Sequence, residues 1–299
     1  MHPYTYIESD ISLQEVLQSW NSTGINTIAM DFEGEFNLHI YGEHLCLIQV
    51  FDKHSFYIVD PFKVSKDALK EFLESQWLEK IMFDCSSDAA LVRKQYQIHL
   101  ANVYDVRVTA TILGYNGNLS LLKSQCLGTD PVKGKKKHQM SNWLVRPLPG
   151  KMIEYALEDV EDLFTIREVL DRQVQSRKLE KQVTSAQKRI AVGKGPDLPG
   201  YKKLPGYRSL SKDQKIYVRW FFESRDMLAK RMNVPAVKIL EKSRIIEMAK
   251  QAPLDSQQLN AYAYHKDKSV QDNLVALMTV ANEGACKEIT HKSALPQLV

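Results

Sequence analysis

Directly after the apolar run Ile28-Ala29-Met30 the chain carries carboxylates at alternate positions, Asp31, Glu33 and Glu35, in the stretch MDFEGEF. In an extended strand successive side chains point to opposite faces, so all three project from one side of a segment otherwise suited to burial. Such a strand must run from a covered interior to an end where charge is tolerated. Like charges on one face repel unless something positive sits between them, and a divalent metal is the usual solution. Two readings stand open at this point, a solvated strand end and a metal site.

The neighbouring segments supply a sheet for this strand. Residues 26–36 read as one strand, Leu45 to Phe51 (LCLIQVF) as a second and Ser55 to Val59 as a third, with a tight turn at Asp52-Lys53. SKDALKEFLES has apolar residues at helical spacing, and a short strand KIMFD, a helix from Ser86 or Ser87, a strand near Val103 and a helix from about Val106 follow. This order predicts an α/β domain with a mixed sheet and helices packed against it. The basic stretch KGKKKHQMSNW, residues 133–143, interrupts the pattern and reads as a loop. Beyond Pro149-Gly150, Ile153, Leu157, Val160, Leu163 and Phe164 mark a helix. A polar helical continuation then gives way to GKGPDLPGYKKLPGY, read as a linker. From Ser211 the pattern is helical, and the end of the chain reads as a loose tail.

A chain of 299 residues suits one large domain or two ordinary ones, and 44% hydrophobic with 25% charged residues is a globular composition. Residues 1–170 hold 16 Lys and Arg against 23 Asp and Glu, a net of −7, whereas residues 171–299 hold 24 against 13, a net of +11. An acidic half suits cations and a basic half suits a polyanion, although basic helices are also often only solvated faces. Cys46, Cys85, Cys126 and Cys286 lack CxxC spacing, which argues against structural zinc and a disulfide framework. No secretory signal or apolar run of membrane-spanning length is seen, so a cytoplasmic location without membrane partners is expected.

Further acids join the first set. Asp84 and Asp88 follow a short strand in IMFDCSSDAALV, with Asp88 in the first turn of a helix, where the helix dipole alone would favour it. Asp105 ends another strand at an N-cap position, and the capping role is the preferred reading. Tyr155 and Asp159 lie at i and i+4 on one helix face.

The ordered set MDFEGEF, LCLIQVFD, FYIVDP, SSDAALV, NLSLLKSQCLG, SNWLVRPL and EYALEDVEDL resembles the Tyr-containing branch of the DEDD exonuclease superfamily, and within it ribonuclease D, over about residues 25–170. The resemblance implies a ribonuclease H-like mixed-sheet domain in which Asp31, Glu33, Asp88 and Asp159 hold two divalent ions, Mg²⁺ or Mn²⁺. Tyr155 would orient the attacking water and Asp31 would bridge the ions. Lys136, Gln139, Ser141 and Trp143 correspond to a loop expected along the phosphate path. The chain departs from the family pattern at Asp84, where histidine is frequent, and at Asn142, where aspartate is common. Glu35 has no role that the family assigns.

Residues 209–285 resemble, more weakly, the HRDC helical domain that follows the nuclease in ribonuclease D, with Arg225 and Asp226 on its W/S-R-D segment. The aromatic cluster at 217–222 reads as core rather than as a base-stacking platform. Lys202, Lys203, Arg208, Lys212, Lys215, Arg219, Lys230 and Arg231 could offer phosphate contacts, Arg219 being the site candidate among them. The expected organisation is an exonuclease domain over 1–175, a helical extension and Gly/Pro linker over 176–207, an all-α HRDC-like bundle over 208–286 and a tail over 287–299. The expected activity is 3′ to 5′ exoribonuclease, releasing nucleoside 5′-monophosphates from tRNA precursors and other structured RNA with single-stranded 3′ tails. A DNA exonuclease of the same fold and an inactive RNA-binding scaffold are the alternatives.

Overall fold

The computed structural model describes residues 2–129, 140–191 and 198–294. Its first compact unit comprises residues 1–36 and 43–195, and its second residues 37–42 and 196–299.

The first unit is a six-stranded mixed sheet covered on both faces. Its strands are β1 (Tyr4–Ile7), β2 (Thr27–Phe36), β3 (Glu43–Phe51), β4 (Phe56–Val59), β5 (Glu79–Met82) and β6 (Val103–Asp105), in the spatial order β1-β4-β3-β2-β5-β6. Antiparallel β2, β3 and β4 form the centre, and β1, β5 and β6 add in parallel. The near-continuous apolar run of β3 follows from this position, since a central strand is covered on both sides. The β3–β4 turn is at Asp52, whose buried carboxylate accepts from the amides of His54 (2.9 Å) and Ser55 (2.7 Å), from Trp20 Nε1 (3.0 Å) and from the Tyr57 hydroxyl (2.9 Å).

Alternation along the strands sorts the core into two layers. Ile28, Met30 and Phe32 face α1 (Asp10–Thr23), α2 (Lys66–Leu73) and α3 (Ser86–Tyr96). Ala29 faces the other way with Leu47, Ile58 and Ile81, toward α4 (Val106–Ile112), α5 (Leu119–Leu127), α6 (Gly150–Glu161) and α7 (Leu163–Arg177). Helix α1 and strand β1 were not foreseen from the sequence. A reciprocal Ser9/Ser12 capping box starts α1, and Gly24 at φ 78° ends it.

Residues 176–191, expected as a polar helical extension beyond the exonuclease domain, are helical, completing α7 and forming α8 (Glu180–Ala191), and belong to the first unit. The polar face of α8 hid its docking. Gln187 accepts from the Asp105 amide at 3.0 Å and donates to the Asp105 carbonyl at 2.9 Å.

The second unit is helical, with α9 (Lys212–Met232), α10 (Ala236–Ile239), α11 (Lys242–Gln251), α12 (Ser256–Tyr262) and α13 (Lys268–Ala294) around Val218, Phe221, Leu228, Ile245, Met248, Leu274 and Met278. Two corrections to the expected boundaries arise here. Residues 198–207 are packed rather than linking: Leu204 is buried in this core, and the Tyr201 ring meets Tyr207 and Phe222 edge-on. The tail expected from residue 287 begins later, because α13 runs to Ala294 and Glu288 accepts from Trp220 Nε1 at 2.9 Å. Among the described residues, no helix is long and apolar enough to cross a membrane.

Candidate active site

Asp31 and Glu33 lie on the face of β2 shared by Ala29, which turns them toward α6. There Tyr155 and Asp159, one turn apart, meet them. Ligand atoms of Asp31, Glu33 and Asp159 all lie within 4.8 Å of one another, the one such group of three among the described residues. The three acids and Tyr155 line a cleft of about 320 Å³ with Phe83, Asn118 and Ser120. Glu35, also alternate on β2, is buried outside that group. Asp88 stands at the side of the trio, close enough that its charge acts on both Asp31 and Glu33.

Several local features produce this arrangement. The β2–β3 pairing shifts register between Glu33 and Gly34, which pair with Leu47 and Leu45, leaving Cys46 as the extra residue of a bulge. Cys46 and Leu47 therefore both point into the α6 layer. The Cys46 carbonyl accepts from Arg146 Nη2 at 2.6 Å, and Arg146 also donates to buried Asp60 from Nε (2.7 Å) and Nη2 (3.0 Å) and to the Trp143 carbonyl from Nη1 (2.9 Å). These bonds seat Trp143 against Tyr155, ring centroids 6.2 Å apart. At Gly34 a Cβ would lie 3.1 Å from Leu91 Cδ2, so the absent side chain lets α3 approach and carries Asp88, one turn before Leu91, toward the trio.

Crowded acids hold protons strongly. Burial, then Asp88, Asp159 and Glu33, raises the Asp31 carboxyl well above the usual range, and burial with Asp159 and Asp88 does the same to Glu33. Burial with Asp84 and Asp105 pushes Asp88 up to about 8. The Tyr155 phenol is raised by burial and by Asp159, Glu33 and Asp31, so it keeps its proton at neutral pH. Three clustered carboxylates facing a cleft with no Lys or Arg in its described lining are a hard-oxygen donor set that fits Mg²⁺ or Mn²⁺.

Other expected site residues fall elsewhere. Trp143, expected on the phosphate path, is 1% exposed and walls Tyr155, so it has no surface to offer RNA. Ser141 is half-buried, and Lys136 and Gln139 lie outside the described residues. Arg219, in the second unit, is ion-paired with Glu288, which makes it part of the α9–α13 seam. The capping reading of Asp105 holds and extends: its carboxylate accepts from the amides of Arg107 (2.9 Å), Asp84 (2.9 Å) and Cys85 (3.0 Å). Gln49 was missed. It is fully buried and donates from Nε2 to Asp31 Oδ2, and a lone amide inside LCLIQVF was the available signal. Phe83, Asn118 and Ser120 were also missed, although Asn118 and Ser120 open the family-like stretch NLSLLKSQCLG.

The part of the chain that holds this site is similar to known exonucleases. A family model described as 3′-5′ exonuclease matches residues 4–175. Protein RRP6-like 2 of Arabidopsis thaliana is 26% identical over 177 residues, which is 58% of this chain and 20% of that protein. Ribonuclease D of Desulfotalea psychrophila is 25% identical over 264 residues, covering 84% of this chain and 69% of the other. The chain thus spans only a fifth of the plant relative. The crystal structure of Escherichia coli RNase D superposes with a TM-score of 0.72 at 19% identity, covering 99% of this chain and 76% of that one.

Proposed function

The chain belongs to the 3′-5′ exonuclease family, and from that premise we propose that it is a metal-dependent exoribonuclease that shortens RNA from the 3′ end and releases nucleoside 5′-monophosphates. The observation that carries the reading is the meeting of Asp31, Glu33 and Asp159 oxygens within 4.8 Å, beside Tyr155. Similarity to a ribonuclease D supports RNA as the polymer. Precursor tRNA and other structured RNA with single-stranded 3′ tails are the substrates this reading favours.

Asp31, Glu33 and Asp159, with Asp88 at their edge, would hold two divalent ions, Asp31 being central to the charge cluster. Bound there, such ions supply an activated water and stabilise the leaving oxygen. Tyr155 remains a phenol, so it cannot serve as base; its hydroxyl donates its one proton to Asp159 and orients water by accepting from it. Trp143 and the helix packing behind Tyr155 keep that hydroxyl in place. The helices of the second unit are assigned to an HRDC-like RNA-holding role, with charge contacts that would bind without reading sequence.

The test is a time course on 5′-labelled RNA with a single-stranded 3′ tail, beside a DNA twin, in Mg²⁺, Mn²⁺ and EDTA. A metal-dependent ladder receding from the 3′ end of RNA is expected. A ladder chiefly on DNA would replace the substrate, and no ladder in either metal would remove the activity.

A further inference from the structure

A second cleft, of about 590 Å³, adjoins the acidic one and shares Phe83 and Asn118 with it. It differs in charge, because Arg107 stands in its wall together with Asp84, Tyr115 and Asn116. The Arg107 guanidinium is ion-paired with Asp84, both side chains are about half exposed, and it lies 5.8 Å from the Phe83 ring centroid.

This posture is set from beneath. Buried Asp105 gathers the amides of Asp84, Cys85 and Arg107, which fastens the end of β5 to the start of α4. Asp84 takes a φ of 57°, a left-handed conformation that Asp tolerates better than most residues. Opposite, the Tyr115 hydroxyl donates to the Asn118 carbonyl, which sets the ring in the wall, and Gly117 leaves room for it, since a Cβ there would lie 2.5 Å from that hydroxyl. An exposed ion pair contributes little in water and is easily exchanged. A guanidinium fork with five N–H donors matches phosphate well.

We propose that the second cleft is a nucleotide subsite continuous with the acidic one. Arg107 takes a backbone phosphate neighbouring the scissile one, Phe83 and Tyr115 flank the base, and Asp84 is the positioning residue that holds Arg107 ready. This rests on the exonuclease reading above and extends it from where the bond is cut to what grips the strand. Stacking tolerates any base and a phosphate contact carries no sequence information, so the grip is independent of sequence.

Two substrates test it: a short oligoadenylate, and the p-nitrophenyl ester of uridine 5′-monophosphate, which has one phosphodiester and no neighbouring phosphate. Absence of metal-dependent hydrolysis of both by the unmodified protein would overturn the exonuclease reading itself. With that activity present, Arg107→Gln should raise KM for the oligonucleotide about tenfold more than for the ester, with the loss in KM rather than kcat. It should also flatten the dependence of log KM on log salt by roughly one phosphate's share. Arg107→Lys, which keeps the charge but loses the fork, should recover only part of the KM loss while restoring the salt dependence, and Asp84→Asn should cost less than Arg107→Gln. Equal losses on both substrates would mean that Arg107 only props the acidic cleft, and an unchanged KM for the oligonucleotide would mean that RNA does not pass it; either result overturns the subsite.

Discussion

Gln49 donates from Nε2 to Asp31 Oδ2 at 3.0 Å, from a position on β3 with no exposed surface. The bond occupies one oxygen of the most crowded acid in the cleft and so restricts how its carboxylate can turn. Ligands held this way lose affinity when their partner is removed, commonly by 10–100-fold for metal sites. Gln49→Met should therefore shift the Mg²⁺ concentration giving half-maximal hydrolysis upward by roughly tenfold. Because Gln49 Oε1 has no hydrogen-bond partner among the described residues, the same change should leave the melting temperature nearly constant. A metal titration of the cleavage rate checks the first point and thermal unfolding the second.

Tyr155→Phe separates packing from chemistry. The ring's contact with Trp143 survives, while the hydroxyl among Asp159, Glu33 and Asp31 is lost. A group that orients water acts on the reacting state rather than on RNA affinity, so kcat should fall on the order of a hundredfold with KM within a few-fold. Single-turnover cleavage beside a filter-binding isotherm would show it, and a loss confined to affinity would contradict the assigned role.

Asp31→Asn should abolish turnover and stabilise the metal-free protein. The folded-state carboxyl is raised by burial, Asp88, Asp159 and Glu33, so its ionisation opposes folding increasingly as pH climbs through and above the ordinary carboxylate range. Removing that charge in EDTA at neutral pH should raise the melting temperature by roughly 2–4 °C, the shift expected of about 1 kcal/mol in a chain of this size. The gain should shrink at pH 4, where the acid is protonated in the folded state anyway. An unchanged or lowered melting temperature at pH 7 would contradict the repulsion.

The acids were legible because their chemistry is written in spacing: Asp31 and Glu33 two apart on a strand, Tyr155 and Asp159 four apart on a helix. The central strands were legible for the same reason, since burial on one or both faces leaves a period of two or an apolar run. The bulge at Cys46 was not, because a register shift belongs to the pairing of two strands and neither carries it alone. Trp143 was placed on the wrong side of the site for a related reason: an aromatic beside basic residues suits either a surface or a core, and the bonds of Arg146 to Asp60 and the Cys46 carbonyl decide for the core. Helix α8 was legible as a helical extension, but its place against the sheet was not, because its docking uses an amide, Gln187, rather than an apolar stripe.

Lys80 offers a test of the sheet itself. It is fully buried on β5, with Nζ donating to the carbonyls of Ser75 at 2.6 Å and Ala101 at 2.9 Å. Burial pulls its pKa from 10.5 down to about 7. Below about 7 the amine is charged in both folded and unfolded chains, and the full cost of burying that charge opposes folding. Between about 7 and 10 the unfolded chain binds the proton and the folded one does not, so the contribution of Lys80 to stability rises with pH. Lys80→Met carries no such titration. The unfolding free energy of the unmodified protein minus that of the variant should therefore increase by about 1 kcal/mol per pH unit between pH 7.5 and 9.5. Urea denaturation of both chains at several pH values in that window measures the slope; a flat difference would mean that the two carbonyls hold Lys80 as an ammonium throughout.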